Sequence, residues 1–260
     1  MPATNGFQLF ESDLPILQYV YELRLATIPQ IAELVGRSYR RTAERLGKLE
    51  ERRYLKSIAR RPSKLVYTLG REGMPVLIEH GYAPRQLADK RLRQHEMKEL
   101  GVKHALFVSD IHAKLILLTR ASSLALSRWV EGSSLFDRVT TSDKIELPIR
   151  PDAWFTIEAS AGRAHFFLEA DRGTMAHTKM REKVAAYTAY FQQQRHTKKY
   201  EGMKVFRVAT ITETRGRAEE LANTFRSMMQ ANWLPAYPVI AFQDLTLEKL
   251  MPELPRQTNA

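Results

Sequence analysis

No cysteine occurs among the 260 residues. That absence excludes disulfides and thiolate metal sites, and it fits a cytoplasmic protein. No window reaches the roughly eighteen uninterrupted apolar residues of a membrane span, so a membrane is not among the expected partners. The opening MPATNGFQLFESDL has neither the basic start nor the apolar run of a signal peptide. The 12 glycines are scattered, and none form a G-x-G-x-x-G or P-loop cradle for a nucleotide. A Ser/His/Asp hydrolase has no nucleophile elbow here. The histidines are too dispersed for the three-histidine metal cluster of a tyrosine relaxase.

Acidic residues are in the minority. Lys and Arg number 40 against 29 Asp and Glu, leaving a net charge of +11. Such a surplus favours polyanions, nucleic acid first. It is concentrated: eleven Lys and Arg stand between Arg37 and Lys64, against Glu44, Glu50 and Glu51.

The chain reads as two domains joined by a linker. SDLPILQYVYELRL has a cap signal, an early proline and apolar residues Leu14, Leu17, Tyr21 and Leu25 spaced for one helix face. TIPQIAELVG repeats the plan, with Thr27 as cap and Gly36 as stop. RSYRRTAERLGKLEERRYL is a third helix, with Ala43, Leu46, Leu49 and Leu55 as apolar positions. Two short strands follow, Tyr54–Ile58 and Leu65–Leu69, turned at ARRPSK. Residues 71–80 suit a further helix, which closes a first domain over 12–81, and the polar stretch 82–95 is the linker. From 96 to 250 the order is a long helix from Glu96 to Thr119, strands KIELPIRPDAWFTIEAS and AHFFLEADRG, a helix, a strand, a helix and a last strand. That order predicts an α/β domain around a mixed sheet.

A short second helix, a turn at Gly36-Arg37-Ser38 and a basic third helix form a helix-turn-helix pattern. The third helix is expected in the major groove, with Ser38 at its start and Tyr39, Arg40, Arg41, Thr42 and Arg45 reaching bases or phosphates. Arg60, Arg61 and Lys64 at the hairpin tip would touch the adjacent backbone as a wing. The run ERLGKLEERRYLKSIARRPSKLVYTLGREG, with Tyr67, Leu69 and Gly73 closing the hairpin, resembles winged-helix DNA-binding domains. The resemblance implies double-stranded DNA as partner.

The second domain contains FFLEADRG, residues 166–173. In an extended strand Glu169 and Asp171 share a face with Phe167, and Asp152 of RPDAWF comes within reach across the hairpin. Carboxylates gathered on a buried sheet repel one another unless a cation joins them, so Mg²⁺ or Mn²⁺ is the expected cofactor at Asp152, Glu169 and Asp171. Ion pairs with Arg150, Arg172, Lys179 or Lys183 are the structural alternative. Pro151-Asp152 followed by Glu169-Ala170-Asp171 resembles the restriction-endonuclease-like nucleases, whose motif ends in a lysine where this chain has Asp171. The resemblance implies a metal-dependent DNA endonuclease in which Lys183 or Lys179, from the following helix, supplies the missing positive charge. Tyr187 continues the same helical face. His104, His112, His165 and His177, and Trp129, Trp154 and Trp233, are expected to be packing or surface residues, although an exposed tryptophan could stack on an unpaired base.

The winged helix, a His-Ala-Leu-Phe-Val helix at His104, then LPIRPDAWF, FFLEADRGT, REKVAAYTAY and FRVATIT together resemble the plasmid replication-relaxation family over roughly residues 12–245. That resemblance implies a bacterial or mobile-element protein acting on DNA during plasmid replication and relaxation; a homodimer, which a palindromic footprint would reveal, and replication or conjugation proteins are further expected partners. A non-enzymatic winged-helix regulator, whose nuclease-like domain serves dimerisation or protein contacts, is the alternative.

Overall fold

The computed structural model describes residues 7–58, 65–83, 99–173, 175–200 and 202–251. The chain divides into two compact units, Met1–Ala113 and Lys114–Ala260.

The first unit begins with helix α1 (Leu14–Leu23), short strand β1 (Ala26–Thr27), helix α2 (Ile28–Leu34) and helix α3 (Tyr39–Glu51). Strands β2 (Leu55–Ile58) and β3 (Val66–Leu69) and helix α4 (Gly73–Glu79) follow. Each helix starts where its cap chemistry places it. Thr27 caps α2, its backbone N–H donating to Gln30 Oε1 at 2.7 Å. Gly36 holds φ at +66°, the left-handed turn that glycine adopts without strain, and Ser38 then opens α3. The inward residues Leu17, Val20, Ile31, Leu46 and Leu49 are fully buried. The three strands pair antiparallel in the order β1-β3-β2. Three helices closed by this small sheet make a winged helix-turn-helix. Leu55 belongs to β2 rather than to α3, because the chain turns at Arg53 with φ +62°.

Gly73 explains the end of the hairpin motif. A Cβ there would lie 2.4 Å from the Tyr54 carbonyl oxygen, and one at Gly70 would lie 2.2 Å from that of Arg53. The missing side chains let β3 and α4 close directly on the backbone that leaves α3. Gly70 N–H donates to Tyr54 O at 2.8 Å and Glu72 N–H to Arg53 O at 3.1 Å.

The wing tip, with Arg60, Arg61 and Lys64, lies outside the described residues, as does the linker from residue 84 onward. The boundary between the two compact units falls within helix α5 (Glu99–Arg120). The reason is packing. Val102 joins Leu25, Ile58 and Val66 in one apolar cluster. Ser109 Oγ donates to Leu23 O at 2.6 Å, and Gln30 Nε2 donates to Asp110 Oδ1 at 2.6 Å.

The second unit is built on β4 (Ala125–Glu131), a small hairpin of β5 (Asp137–Thr140) and β6 (Glu146–Ile149), then β7 (Ala153–Ala159) and β8 (Gly162–Asp171). Helices α6 (His177–Gln192) and α7 (Arg195–Lys199) lead to β9 (Arg207–Thr212), helix α8 (Arg215–Met228), β10 (Val239–Ala241) and helix α9 (Leu247–Leu250). Five strands form one mixed sheet in the order β10-β9-β8-β7-β4. β8, β9 and β10 run parallel through the crossovers that carry α6 and α8, whereas β7 and β4 are antiparallel additions. This is a mixed α/β unit, as expected, with two differences. Residues 125–131 form an edge strand that the alternation did not reveal. The single strand read over KIELPIRPDAWFTIEAS is two, because the chain leaves the β5–β6 pair at Arg150-Pro151 before entering β7, and proline has no N–H for a ladder. Among the described residues no helix is long and apolar enough to cross a membrane.

Candidate functional site

Helix α3 presents two kinds of basic residue. Tyr39 is 58% exposed, and Arg40 and Arg41 are exposed beside it. Arg40 pairs with Glu44 at 2.9 Å, both side chains largely in solvent, so that pair is weak and exchangeable. Ser38 is spent on the cap, accepting from Arg41 N at 3.4 Å. Thr42 and Arg45, expected among the DNA contacts, face inward instead. Thr42 is fully buried and donates to Ser38 O at 3.0 Å. Arg45 Nε donates to Asp13 Oδ1 at 2.7 Å, a second bond from the same guanidinium reaches Asp13 Oδ2, and Nη2 donates to Gln8 O at 2.9 Å. Its guanidinium also lies 5.0 Å from the ring centres of Phe7 and Phe10. Asp13 is completely buried, so Arg45 compensates a charge that could not otherwise be inside. The cause is helical phase: 42, 45, 46 and 49 fall on the inner side of α3, which packs against α2 and β2, whereas Arg40 lies opposite, Arg41 on the flank, and Tyr39 is exposed in the first turn.

The acidic strand behaves as its alternation predicts. Phe167, Glu169 and Asp171 lie on the α6 side of β8: Phe167 stacks on Tyr187 with ring centres 5.6 Å apart, and both carboxylates are only 2% exposed. The register Ala153↔Leu168 brings Asp152 beside them. Asp152 Oδ2 accepts from the Ala170 N–H at 2.8 Å, and its own N–H donates to Leu168 O at 2.9 Å.

Each carboxylate has a partner from the protein. Glu169 accepts Tyr187 Oη at 2.6 Å on one oxygen and the Lys183 ammonium on the other. Asp171 accepts Arg217 Nε at 2.6 Å and the Gly173 N–H at 3.1 Å. Burial lifts the Glu169 carboxyl above its ordinary range; Lys183 offsets part of that, and Asp152 adds to it. Burial alone would lower the Lys183 ammonium, but Glu169 first, then Asp152 and Asp171, hold it above its ordinary value. Burial, reinforced by Glu169, raises the Tyr187 phenol well above its usual pKa. Lys183 therefore sits within the field of all three acids. Its side chain also lines a cleft of about 310 Å³ shared with Arg150, Lys179 and Glu182.

In this arrangement the carboxylates of Glu169 and Asp171 are already partnered by protein groups. Among the described residues no three of His, Asp and Glu stand so as to hold one. The oxygens of Glu169 are engaged by Lys183 and Tyr187, and Asp171 is neutralised by Arg217. The expected Asp152, Glu169 and Asp171 ligand group is thus, in this arrangement, a carboxylate cluster compensated by an ammonium and a guanidinium. Of the cations offered as partners, Lys183 bonds Glu169. Lys179 is exposed and pairs with Glu182 at 2.8 Å, Arg172 with Glu213 at 2.6 Å, and Arg150 lies over the Phe136 ring.

The family model described as replication-relaxation matches residues 17–206. The chain belongs to the replication-relaxation family. Comparison with curated proteins gives no match. Among solved structures, the chain is similar to Lactococcus lactis ZitR, a zinc-responsive MarR family member, at 19% identity and TM-score 0.25, covering 46% of this chain and 81% of that one. Wild-type ZitR in complex with DNA gives 23% identity and TM-score 0.26, covering 45% and 77%.

In this replication-relaxation protein, sequence reasoning missed Arg217. Its guanidinium ties Asp171 to Met175 O (2.6 Å), to Glu220 (3.3 Å) and, at 3.3 Å, to His177 Nε2. The only local signal is its place in the first turn of α8 after the Thr214 cap, which says nothing of a strand 46 residues earlier. The histidines mostly serve packing. His112 is buried, His165 Nδ1 lies 3.0 Å from Thr156 Oγ1, and His177 Nδ1 lies 3.1 Å from Thr224 Oγ1. Trp129 stacks on Phe155, and Trp154 is buried.

Proposed function

We propose that this replication-relaxation protein is a duplex-DNA-binding factor of plasmid or mobile-element DNA metabolism, whose α/β unit is a restriction-endonuclease-like scaffold that does not cleave. The observation that carries the first half is the outward row Tyr39, Arg40 and Arg41 on a capped helix whose inner side is completed by Thr42, Arg45, Leu46 and Leu49. Its cations are free to exchange surface partners for phosphate, and the strongly basic sequence around them supplies the long-range field. Binding to a labelled duplex should fall steeply with salt. Arg40→Ala/Arg41→Ala should weaken it by roughly tenfold or more and reduce the salt slope by about one per lost phosphate contact. Affinity indifferent to salt and to both substitutions would sink this reading. A palindromic footprint would indicate a homodimer.

The second half rests on the pairing of Glu169 with Lys183 and Tyr187, which leaves that carboxylate no free oxygen. A second reading, a Mg²⁺- or Mn²⁺-dependent endonuclease built on Asp152, Glu169, Asp171 and Lys183, is favoured by one observation. All three carboxylates act on the same lysine, which stands where the family of nucleases would want its positive charge. Supercoiled plasmid incubated with either ion separates the two. Intact plasmid with wild-type protein supports the scaffold; nicking by wild type that disappears in Asp152→Asn supports the nuclease. Nicking that persists in Asp152→Asn and Glu169→Gln would remove this site from both.

A further inference from the structure

The connection from α1 to α2 is short, running from Arg24 to Thr27, and it opens on a strained turn. Arg24 has φ +67° and ψ −49°, and the Leu25 N–H donates to Leu23 O at 2.8 Å. That is a γ-turn of the rarer hand, which glycine enters freely and a residue with a side chain enters only under strain. Arginine stands there all the same, so the surroundings must hold the turn.

Helix α5 supplies the hold. Ser109 is buried, and its hydroxyl donates to Leu23 O at 2.6 Å, nearer than the 2.9 Å to Ala105 O one turn back on its own helix. Leu23 O is a last-turn carbonyl of α1, a group that finds no partner further along its own helix. The Leu25 N–H and the Ser109 hydroxyl satisfy it together. Beyond the turn, Leu25 packs with Ile58, Val66 and Val102, and Ala26 and Thr27 pair with β3. Asp110, the next residue of α5, takes the far end. It accepts Gln30 Nε2 at 2.6 Å, while Gln30 Oε1 accepts the Thr27 N–H at 2.7 Å and the Thr27 hydroxyl at 2.9 Å. Adjacent residues of one helix thus tie both ends of the connection, and α2 packs directly on α3. The direction in which α2 leaves the connection therefore sets where Tyr39, Arg40 and Arg41 point.

We infer that Ser109 is a positioning residue for duplex binding: by holding Leu23 O it keeps Arg24 in the strained turn, and the turn keeps α2 and α3 at the angle that meets DNA. The inference rests on the reading of α3 as the duplex-contacting helix. Without the Ser109 bond the turn relaxes in part of the population. The bound complex is then unchanged, but fewer free molecules are competent, and the apparent Kd rises in proportion.

Duplex binding across a range of salt concentrations, with amide hydrogen exchange at Leu25, tests this in the full-length protein. Ser109→Ala should weaken binding by roughly fivefold or more while keeping the wild-type salt slope, unlike Arg40→Ala/Arg41→Ala. It should also speed exchange of the Leu25 N–H by roughly tenfold. Arg24→Gly/Ser109→Ala should recover most of the affinity, because glycine keeps the turn without help. Arg24→Ala/Ser109→Ala, which loses the side chain but retains the strain, should stay weak. Wild-type affinity in Ser109→Ala, or a loss that Arg24→Gly does not recover, overturns the proposal. Exchange at Leu25 unaltered by Ser109→Ala overturns the hold on the turn, whatever the DNA result. Duplex binding indifferent to salt and to Arg40→Ala/Arg41→Ala, with exchange still raised in Ser109→Ala, removes the reading of α3 and with it this residue's part in binding.

Discussion

Helix α3 and the end of strand β8 are both rich in charge, and the fold treats them in opposite ways. On α3 most of the charge stays in water: Arg40 and Arg41 are exposed, and Arg40 holds Glu44 only loosely. At the end of β8 the charge is buried, and Glu169 and Asp171 are each matched with a cation from a different helix. Exposed charge costs the fold almost nothing and is available to a partner. Buried charge is tolerable only when compensated, so its partners are part of the architecture. Arg45 makes the same contrast within a single helix, being basic like its neighbours but committed to Asp13.

The contrast breaks most sharply at Glu169. Glu169→Ala leaves Lys183 in a largely buried place without its carboxylate, and should cost about 3–5 kcal/mol in urea or thermal unfolding. Lys183→Met should cost a similar amount by stranding Glu169. Glu169→Leu/Lys183→Met together should recover most of the loss, since apolar replacement of a whole buried pair is often neutral. A double variant as unstable as the sum of the singles would show that the two groups do not act as a pair.

Arg45→Ala against Arg41→Ala tests α3 directly. The first should destabilise by about 3 kcal/mol because Asp13 is left buried and unpaired. The second should change stability by no more than about 0.5 kcal/mol while weakening duplex binding. Reversed outcomes would exchange the roles assigned to the two faces. Gly73→Ala should cost about 1–3 kcal/mol by overpacking, since the new methyl meets the immovable Tyr54 carbonyl as well as the Leu69 side chain. Chemical denaturation compared with Gly216→Ala, where open space surrounds the added carbon, isolates the effect.

The smallest expected effect is a pH dependence. His165 titrates below its ordinary value of 6.5 in the folded chain. Its neutral form is therefore favoured by folding, and the associated stability is present above pH 6.5 and is lost as pH falls through the lowered value. His165→Gln should flatten that acid-side slope of unfolding free energy slightly. A slope unchanged by the substitution would mean that burial, with Arg163 and Arg128, perturbs this imidazole less than the geometry implies.

Much of this was readable before any coordinates. Apolar spacing and cap residues placed α1, α2, α3 and α6, because those signals act within one or two turns of helix. Period-two alternation put Glu169 and Asp171 on one face, and helical spacing put Lys183 and Tyr187 on another. That the two faces meet follows from the crossover through α6. β4 was missed because it is a largely solvated edge strand whose pattern of exposure does not alternate cleanly. The wing residues Arg60, Arg61 and Lys64 were legible only as charge, and they lie outside the described residues.

By itself the sequence determined which residues are charged, which positions are apolar and how each segment bends, since these depend on side chains and their near neighbours. It therefore determined a basic winged helix and an α/β unit with acids on an inner strand. Which cation neutralises which acid was decided only by the tertiary structure. Arg45 with Asp13, Lys183 with Glu169 and Arg217 with Asp171 are separated by 32, 14 and 46 residues. Coulomb attraction depends on distance in space and on exclusion from water, and neither exists until the chain has folded.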